Sequence, residues 1–582
     1  CFADTYEIAM SHLGLKILYH TLNDREDTYC ERVFAPWTDM EEEMKKHGMK
    51  LFALETGDEI THFDMLGFTL QYELSYSNIV NMLMLADIPV RAKDRDESYP
   101  IVCGGGPCAY NAEPVADIFD FFMLGEGEDS IHEVVEEYVK WKKSGKKNKR
   151  DYLEAIAEIE GIYVPSFYDV EYNDDNTVKS VTPNNPHAKP KVRKRIMKDF
   201  NATYAPETII VPFGEVVHDR VMLEVMRGCL RGCRFCQAGM IYRPTRERNV
   251  EDLKASAREM LQNTGHEEIS LSSLSSSDYS ELKELVNFLI EEFHGNAVNI
   301  SLPSLRIDAF ALDVMSKVQD VKKSSLTFAP EAGSQRLRNV INKGLTEENI
   351  LHGAGEAFKG GWNQVKLYFM LGLPTETEDD MKGIAHLAQK IAETYYEEVP
   401  KEKRNGKVQV NVSTSFFVPK PFTPFQWAGM YREEDFVEKA KVVKSEIRAQ
   451  LNQRSIRYSW HEPDVTILEG FLARGDRRCS KVILRAYEKG AIYDAWSESF
   501  DYNIWKESFA ETNTDIDFYT LRERSTDEIL PWDFIDAGVT KKFLIHEWEQ
   551  AKKETVTPNC RQKCSGCGAM RYGGGVCYEG KN

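Results

Sequence analysis

The chain has 582 residues, enough for roughly three or four domains with large hydrophobic cores. Its composition, 42% hydrophobic and 29% charged, is that of a globular protein, and its apolar runs are far too short to cross a bilayer. Asp and Glu number 93 against 73 Lys and Arg, and the resulting charge of −20 disfavours non-specific nucleic-acid binding by the whole surface.

The first 140 residues alternate short apolar runs with amphipathic segments. We predict strands at 50–56, 63–70, 99–106 and 119–128, because each run ends in glycine or polar turn residues. Residues 73–87 space their apolar side chains three and four apart and predict a helix. This alternation predicts a doubly wound α/β domain over residues 1–140, with a parallel sheet covered by helices.

Residues 141–220 are predicted to be a connector with a β hairpin. Two basic segments, at 140–150 and 187–200, flank a stretch with a polar turn, "GIYVPSFYDVEYNDDNTVKSVTP". The first segment is typical of a solvated helix end and loop, and a surface that faces RNA or another substrate is the alternative.

A second alternating series fills residues 221–435. Its six predicted strands, which helical segments separate, are 221–227, 267–274, 297–305, 323–330, 364–371 and 408–418. Repeated strand–helix units of this kind predict a partial (β/α)6 TIM barrel, with its chemistry at the carboxyl ends of the strands. Residues 436–582 are predicted to be a helical or irregular C-terminal region that carries a cysteine cluster.

Seven of the twelve cysteines form two groups. The first cysteine set is Cys229, Cys233 and Cys236, and the tail cysteine set is Cys560, Cys564, Cys567 and Cys577. Clustered thiols in a large acidic chain indicate a reducing, cytoplasmic compartment and metal ligation rather than disulfides. No secretory signal is visible, but the chain starts with Cys1 rather than Met, and a stretch before it could be missing from the sequence.

The first cysteine set lies just after the first strand of the predicted barrel, in the segment "CLRGCRFCQAG". A [4Fe–4S] cluster is normally held by four thiolates, so three leave one iron open for another ligand. Structural zinc prefers a closed site with four ligands. The position and the missing fourth ligand therefore favour an iron–sulfur cluster over zinc.

These residues resemble the cysteine motif of the radical S-adenosylmethionine (radical SAM) enzymes. The resemblance implies that the open iron binds the methionyl group of S-adenosylmethionine. It also implies that the reduced cluster releases a 5′-deoxyadenosyl radical, which abstracts hydrogen from a substrate. Phe235 matches the aromatic residue that lies by the adenine.

Three further positions fit the resemblance. Glu331, in "FAPEAGSQRLR", matches a residue that contacts S-adenosylmethionine, Arg306 is a cation suited to a carboxylate, and Gly372 would allow close approach to the adenine. The alternatives are a surface acid in a turn, a surface salt bridge and an ordinary glycine at a strand end.

The segment "YPIVCGGGPCAYNAEPVADIFDFFMLGEGE" resembles the later half of cobalamin-binding domains, in which Gly104 and Gly105 would face the nucleotide loop. The D-x-H-x-x-G motif that supplies an axial histidine is absent, and His12 lacks the required Asp. Cobalamin bound without a protein histidine and a domain that has lost the cofactor both remain open.

The tail cysteine set repeats the first spacing and adds Cys577. Four thiolates can close a site, so we predict a second iron–sulfur cluster or a structural zinc site, with redox-active or unligated thiols as the third alternative. Such a centre could relay electrons, donate sulfur or only brace the chain.

As a whole, the pattern resembles an uncharacterised radical SAM family with a cobalamin-binding-like N-terminal domain. The resemblance implies an oxygen-sensitive transferase that methylates, methylthiolates or rearranges an unactivated carbon of a macromolecule, such as RNA or protein, or of a metabolite. Flavodoxin or ferredoxin would donate the electron, and no membrane would take part. The alternative is a non-catalytic iron–sulfur scaffold or an RNA-binding maturation factor that retains the barrel.

Overall fold

A computed structural model describes residues 1–145, 147–203, 205, 208–293, 298–301 and 326–579. The chain divides into two compact units. The first contains residues 1–219, 468–520 and 524–538, and the second contains 220–467, 521–523 and 539–582. The expected C-terminal region, 436–582, is therefore shared between the two units.

The first unit contains a sheet of three parallel strands with an antiparallel fourth strand at one edge. In sheet order the strands are Met65–Thr69, Ile101–Gly105, Phe121–Met123 and Ile162–Tyr163. Isolated parallel bridges join Phe2 to Thr69 and Phe2 to Phe34, and they extend the sheet at its other edge. The segments at 34 and 2 followed by the three parallel strands give the order 2-1-3-4-5 of flavodoxin-like folds, which confirms the predicted fold class.

The predicted strand at 50–56 is wrong. Phe52 makes only an isolated antiparallel bridge with Glu59, and the chain between them turns at Gly57, where the backbone N–H donates to the carbonyl of Ala53. Because this local turn uses the backbone groups, the segment near Phe34 occupies the sheet edge instead.

The rest of the first unit surrounds this sheet. The predicted hairpin is present as Tyr168–Tyr172 paired with Val178–Pro183, and Val192–Arg193 pairs in parallel with Ile535–Asp536. The α-helices are Tyr6–Ala9, Leu13–Asn23, Thr38–His47, Tyr76–Met84, Ser130–Lys143, Lys149–Ala157, Ser480–Glu488, Tyr502–Glu511 and Ile516–Thr520.

The second unit contains two groups of parallel strands. The first group, in sheet order, is Val221–Glu224, Glu268–Ser272 and Asn299–Ser301. The second is Leu326–Glu331, Gln364–Leu371, Gln409–Phe416 and Ile456–Trp460. Each of the six predicted strands has a counterpart, and Ile456–Trp460 is a further strand within the region expected to be helical or irregular.

Helices connect these parallel strands, as expected of a (β/α) barrel. They are Ala238–Ile241, Val250–Thr264, Leu282–Phe293, Gln335–Val340, Glu347–Lys359, Glu378–Glu398 and Glu433–Ala449. Lys541–Lys552 and Val576–Glu579 follow the strands, and the helix Pro463–Arg474 has its first residues in the second unit and the rest in the first. Among the helices of the described ranges, none combines the length and the apolar character needed to span a membrane.

Buried and exposed side chains alternate along the strands of the second unit, and the buried ones form its core. In Gln364–Leu371, Val365, Leu367, Phe369 and Leu371 are all buried, and they alternate with more exposed residues. The following helix begins at a capping box in which Thr377 and Asp380 bond each other's backbone N–H groups. The loop between strand and helix, residues 372–377, is thereby fixed at the carboxyl edge of the sheet.

Candidate metal centre

The first cysteine set occupies the loop that follows Val221–Glu224 and the short strand Met226–Arg227. Gly228 opens the loop with φ = +91°, and a Cβ atom there would lie 2.6 Å from the carbonyl oxygen of Tyr242. Only glycine satisfies both constraints. The three cysteines therefore lie at the carboxyl end of the first parallel strand, where a barrel places its chemistry.

The three thiols of the first set interact electrostatically with one another, and all three residues are half-buried. Burial raises the pKa of Cys229, and it raises the pKa of Cys236 to about 12. The Gly239 N–H lies 3.4 Å from the Cys236 sulfur as a hydrogen-bond donor. Within the residues that the structure describes, no three or more His, Cys, Asp or Glu side chains surround a single ion site. Three soft donors grouped on one loop could hold a [4Fe–4S] cluster and leave one iron open.

Arg231 and Asp278 connect the cysteine loop to the turn after the second parallel strand. The Arg231 Nε donates to Asp278 Oδ2 at 2.8 Å, and a second guanidinium nitrogen bonds the other carboxylate oxygen. Asp278 also accepts from the Ser275 hydroxyl at 2.7 Å. This bidentate pair restrains the loop between Cys229 and Cys233.

Arg234, between Cys233 and Phe235, anchors the cysteine loop through a buried side chain. Its side chain is fully buried, and its Nε lies 3.0 Å from Glu547 Oε2. The guanidinium also donates to the carbonyls of Asn339, Val340 and Thr555 at 3.1, 2.9 and 2.7 Å. Phe235 itself is half-buried in the turn that Arg234 fixes.

Glu331 ends the strand Leu326–Glu331 at the same carboxyl edge. Its φ is +66°, an unusual conformation for a residue with a side chain, and it follows a register shift in the strand. Lys343 Nζ donates to Glu331 Oε1 at 3.0 Å, and the Lys343 charge acts to lower the pKa of Cys236. The structure thus brings Glu331 to the first cysteine set through Lys343.

Gly372 follows the strand Gln364–Leu371 and also has a positive φ, +85°. A Cβ atom there would lie 2.7 Å from Phe436 Cε1 and 3.2 Å from Tyr431 Cδ2. Its N–H donates to the buried Glu376 at 2.9 Å. The chain's own aromatic side chains therefore approach this glycine closely. Arg306 lies outside the described residues.

The tail cysteine set lies against the loop of the first set. The Cys560 N–H donates to the carbonyl of Leu230 at 3.2 Å, and the Val576 N–H donates to that of Thr245 at 2.9 Å. Gly575 has φ = +78°, and a Cβ atom there would lie 2.4 Å from the Thr245 oxygen, so this approach requires glycine.

Within the tail set, the thiols of Cys560 and Cys577 form a hydrogen bond with each other. It lowers the pKa of Cys560 and raises that of Cys577. Cys567 is buried, whereas Cys564 is exposed.

Arg243 lies between the two cysteine sets. The residue is 3% exposed, and its guanidinium donates to the carbonyls of Gly239 and Arg231 at 3.0 and 3.1 Å. The strongest attractions on its charge come from Cys567 and Cys560 of the tail, and Cys229 of the first set adds a weaker one. One buried cation is thus shared by both sets.

Packing accounts for Gly104, because a Cβ atom there would lie 3.0–3.1 Å from Leu70, Phe119 and Phe122. A Cβ atom on Gly105 would lie 3.4 Å from the Met123 oxygen, an ordinary contact distance, so packing does not require glycine there. The His12 Nδ1 accepts from the Leu15 N–H at 3.1 Å, so this nitrogen caps a helix.

Sequence reasoning missed Asp278, Glu547, Lys343 and Arg243. Asp278 and Glu547 act through partners far along the chain, Arg231 and Arg234, whereas Lys343 pairs with Glu331 only 12 residues away. The sequence offered only an indirect indication, because the cysteine motif contains arginines and glycines. Their presence does not reveal which distant residues they contact.

Two family profiles match the chain. The profile "Radical SAM proteins, N-terminal" matches residues 14–165, and "Radical SAM superfamily" matches residues 223–388. The second match includes the first cysteine set, Glu331 and Gly372.

The relatives include two proteins from Methanocaldococcus jannaschii. The uncharacterized protein MJ0966 is 32% identical over 438 residues, which cover 74% of this chain and 82% of the relative. The putative methylthiotransferase MJ0865 is 28% identical over 169 residues, 28% of this chain and 37% of the relative.

One solved structure shares the overall fold. It is the radical S-adenosylmethionine methyltransferase TsrM from Kitasatospora setae with cobalamin and a [4Fe–4S] cluster bound. The TM-score is 0.50 at 13% identity, and the match covers 84% of this chain and 98% of that one.

Proposed function

The chain belongs to the radical SAM superfamily of enzymes, and from this premise we propose that it cleaves S-adenosylmethionine reductively and transfers a methyl or methylthio group to an unactivated carbon. The observation that carries the proposal is the grouping of Cys229, Cys233 and Cys236 at the carboxyl end of the first parallel strand. Their three sulfurs would hold a [4Fe–4S] cluster with one iron open to S-adenosylmethionine.

When bound, this cluster supplies the electron that cleaves the sulfonium bond. The residues of the chain bind the cluster and orient S-adenosylmethionine. Arg231 with Asp278 and Arg234 with Glu547 restrain the cysteine loop, so the three sulfurs hold fixed positions. Phe235 offers an aromatic face beside the third cysteine.

Glu331 and Lys343 supply the charges next to the cluster site. The Glu331 carboxylate, held at 3.0 Å from Lys343 Nζ, can accept hydrogen bonds from the amine or the ribose of S-adenosylmethionine. Burial raises the pKa of Cys236 to about 12, and the Lys343 charge opposes this shift and so favours the thiolate form, which binds iron.

Cobalamin binding is proposed because the first unit has the strand order of flavodoxin-like folds. TsrM, which shares the overall fold, has cobalamin bound. His12 and Gly104 give no direct support, because the helix cap accounts for the first and packing for the second. We therefore assign no reaction step to cobalamin. A corrinoid absorption spectrum after reconstitution tests this part, and its absence under full corrinoid supply would remove cobalamin from the proposal.

Methylthio transfer is the second candidate, because MJ0865 is named a putative methylthiotransferase. The two reactions differ in the atoms that they transfer. A methylthio product requires a sulfur atom besides the methyl group, and its mass reports that sulfur.

The test is anaerobic reconstitution with iron and sulfide, followed by reduction with excess S-adenosylmethionine. We expect 5′-deoxyadenosine or S-adenosylhomocysteine from the intact chain and neither from the Cys233→Ala variant. Flavodoxin or ferredoxin serves as the electron donor in a second arm. If a chain loaded with iron yields neither product, the non-catalytic scaffold or maturation factor replaces the enzyme.

The substrate is proposed to be an RNA base or a protein side chain. Comparing the masses of RNA and protein from cells with and without the gene identifies the modified carbon. A modification absent from both pools would exclude macromolecular substrates and leave a metabolite.

A further inference from the structure

The tail cysteine set is held in place by contacts on either side of its thiols. Besides the bonds to Leu230 and Thr245, the Thr540 N–H donates to the carbonyl of Cys567 at 2.9 Å, and Arg561 pairs with Glu247. Backbone bonds at Cys560, Cys567 and Val576 thus fix the segment on both sides of the cysteines. A disordered tail would have no such set of contacts.

Three of the four tail thiols share one electrostatic environment. Cys560 and Cys577 are hydrogen-bonded to each other, and the thiol of Cys567 acts on that of Cys577. The Arg243 charge acts on the thiols of Cys560, Cys567 and Cys577. Cys564, the exposed fourth, lies three residues before Cys567 on the same loop.

Arg243 places a buried positive charge beside the tail thiols. A guanidinium buried to this degree loses most of its hydration, and nearby negative charge offsets that loss. The largest attractions on its charge come from the sulfurs of Cys567 and Cys560. A cluster held by four thiolates would supply the negative charge that offsets the burial of this guanidinium.

We propose that Cys560, Cys564, Cys567 and Cys577 hold a second iron–sulfur cluster and that the Arg243 guanidinium is its buried counter-cation. On assembly each thiol releases its proton to solvent as its sulfur bonds to iron, with iron and sulfide supplied from outside. The hydrogen bond between Cys560 and Cys577 is replaced by bonds to the cluster.

The sequence spacing favours iron–sulfur chemistry over zinc. The tail repeats the C-x3-C-x2-C spacing of the first set, and Cys577 completes the four thiolates that normally hold a [4Fe–4S] cluster. Structural zinc sites more often take their ligands as two separated pairs.

The position of Arg243 implies that the second cluster is electrically coupled to the first. The same guanidinium acts on Cys229 in one set and on Cys560 and Cys567 in the other. A positive charge stabilises the reduced, more negative form of a cluster, so Arg243 raises the potential of a cluster beside it.

The decisive experiment isolates the tail from the first set. The Cys229→Ala/Cys233→Ala/Cys236→Ala variant, called here the first-set variant, is reconstituted anaerobically, and its iron, zinc and acid-labile sulfide are counted. We expect about four irons per chain, against about eight in the intact chain. Cys560→Ala/Cys564→Ala should reduce the intact chain to about four, and Cys30→Ala, outside both sets, is the matched control. This count needs no turnover, so it stands or fails independently of the proposed function.

Two results overturn the proposal. The first is zinc in the first-set variant in place of iron and sulfide. The second is a metal-free first-set variant with four titratable tail thiols, provided that circular dichroism shows native folding. If that variant does not fold, the comparison of the intact chain with Cys560→Ala/Cys564→Ala decides, and an unchanged iron count there counts against the tail cluster.

The role of Arg243 has its own readout. In the first-set variant, Arg243→Met should lower the midpoint potential of the tail cluster, and Arg243→Lys, which keeps the charge, should leave it close to the original value. A purely structural role would change the amount of cluster but not its potential. Equal potentials in the Met and Lys variants would remove the counter-cation from the proposal.

Discussion

Arg234 and Glu547 lie 313 residues apart in the chain, and their side chains meet in a buried ion pair, 3.0 Å from Nε to Oε2. Arg234 stands between two cysteines of the first set, and Glu547 lies on the helix Lys541–Lys552, shortly before the tail cysteines. The pair therefore connects the loop that would carry the cluster with the segment that leads to the tail set.

Glu547→Gln should destabilise the second unit by about 3 kcal/mol, because it leaves the Arg234 charge buried beside a neutral amide. We expect a lower midpoint in denaturant unfolding and a lower iron content after gel filtration. Glu549→Gln, on the same helix in an exposed pair with Lys552, is the matched control and should change little. Equal effects of the two changes would contradict the anchoring role of Arg234.

Glu331→Gln should weaken the use of S-adenosylmethionine about tenfold or more, because a carboxylate acceptor becomes an amide next to Lys343. Product formation at subsaturating S-adenosylmethionine measures this loss, and the iron content should stay unchanged. Glu348→Gln, an exposed acid nearby in the sequence, serves as the control. If both variants retain full activity, Glu331 is a surface acid in a turn.

Gly372→Ala should cost about 2–4 kcal/mol, because it adds the strain of a positive φ to a contact of 2.7 Å with Phe436. Gly344→Ala has a similar φ, +62°, but no atom within 4 Å of the new Cβ, so it should cost only about 1 kcal/mol. Denaturant unfolding compares the two. Equal costs would mean that the aromatic contact at Gly372 relaxes freely.

Asp494 should make the stability of the first unit depend on pH. Burial raises the pKa of its carboxyl to about 6, although Ser77 and Trp505 donate hydrogen bonds to it at 2.6 and 2.9 Å. The folded state therefore binds this proton more tightly than the unfolded state, and the contribution to stability falls as the pH rises from about 4 to about 6.

Asp494→Asn removes this titration and keeps groups that can bond Ser77 and Trp505. Relative to the original chain, the variant should gain about 3 kcal/mol between pH 4 and pH 7. Thermal unfolding across this range provides the measurement. A difference that stays constant with pH would show that folding does not raise the pKa of Asp494.

The strands of the second unit were predictable because their signal is local. Gln364–Leu371 alternates buried and exposed side chains over eight residues, and that pattern is visible in the letters alone. Ile456–Trp460 was not predicted, because five residues with a single fully apolar face carry a weak signal, and pairing with Gln409–Phe416 defines them as a strand.

In the candidate site, too, local features were predictable from the sequence and long-range contacts were not. The spacing of the first cysteine set predicted which residues group together, since all three belong to one loop. The contacts of Arg243 with both sets could not be predicted, because they depend on how the tail returns to that loop. Likewise, Gly104 and Gly105 looked like ligand-facing glycines, whereas packing against Leu70, Phe119 and Phe122 accounts for Gly104.

The first unit is assembled from segments at both ends of the chain, and this arrangement has a consequence during synthesis on the ribosome. Asn78 accepts from the Tyr493 N–H at 2.6 Å, and Glu113 pairs with Arg477, so the unit needs residues made some 360 to 420 positions later. Until those residues emerge, the buried face of the helix Tyr76–Met84 lacks part of its cover. The nascent N-terminal half therefore exposes apolar surface until synthesis is nearly finished, and gene fragments that end at residue 219 should yield aggregated protein.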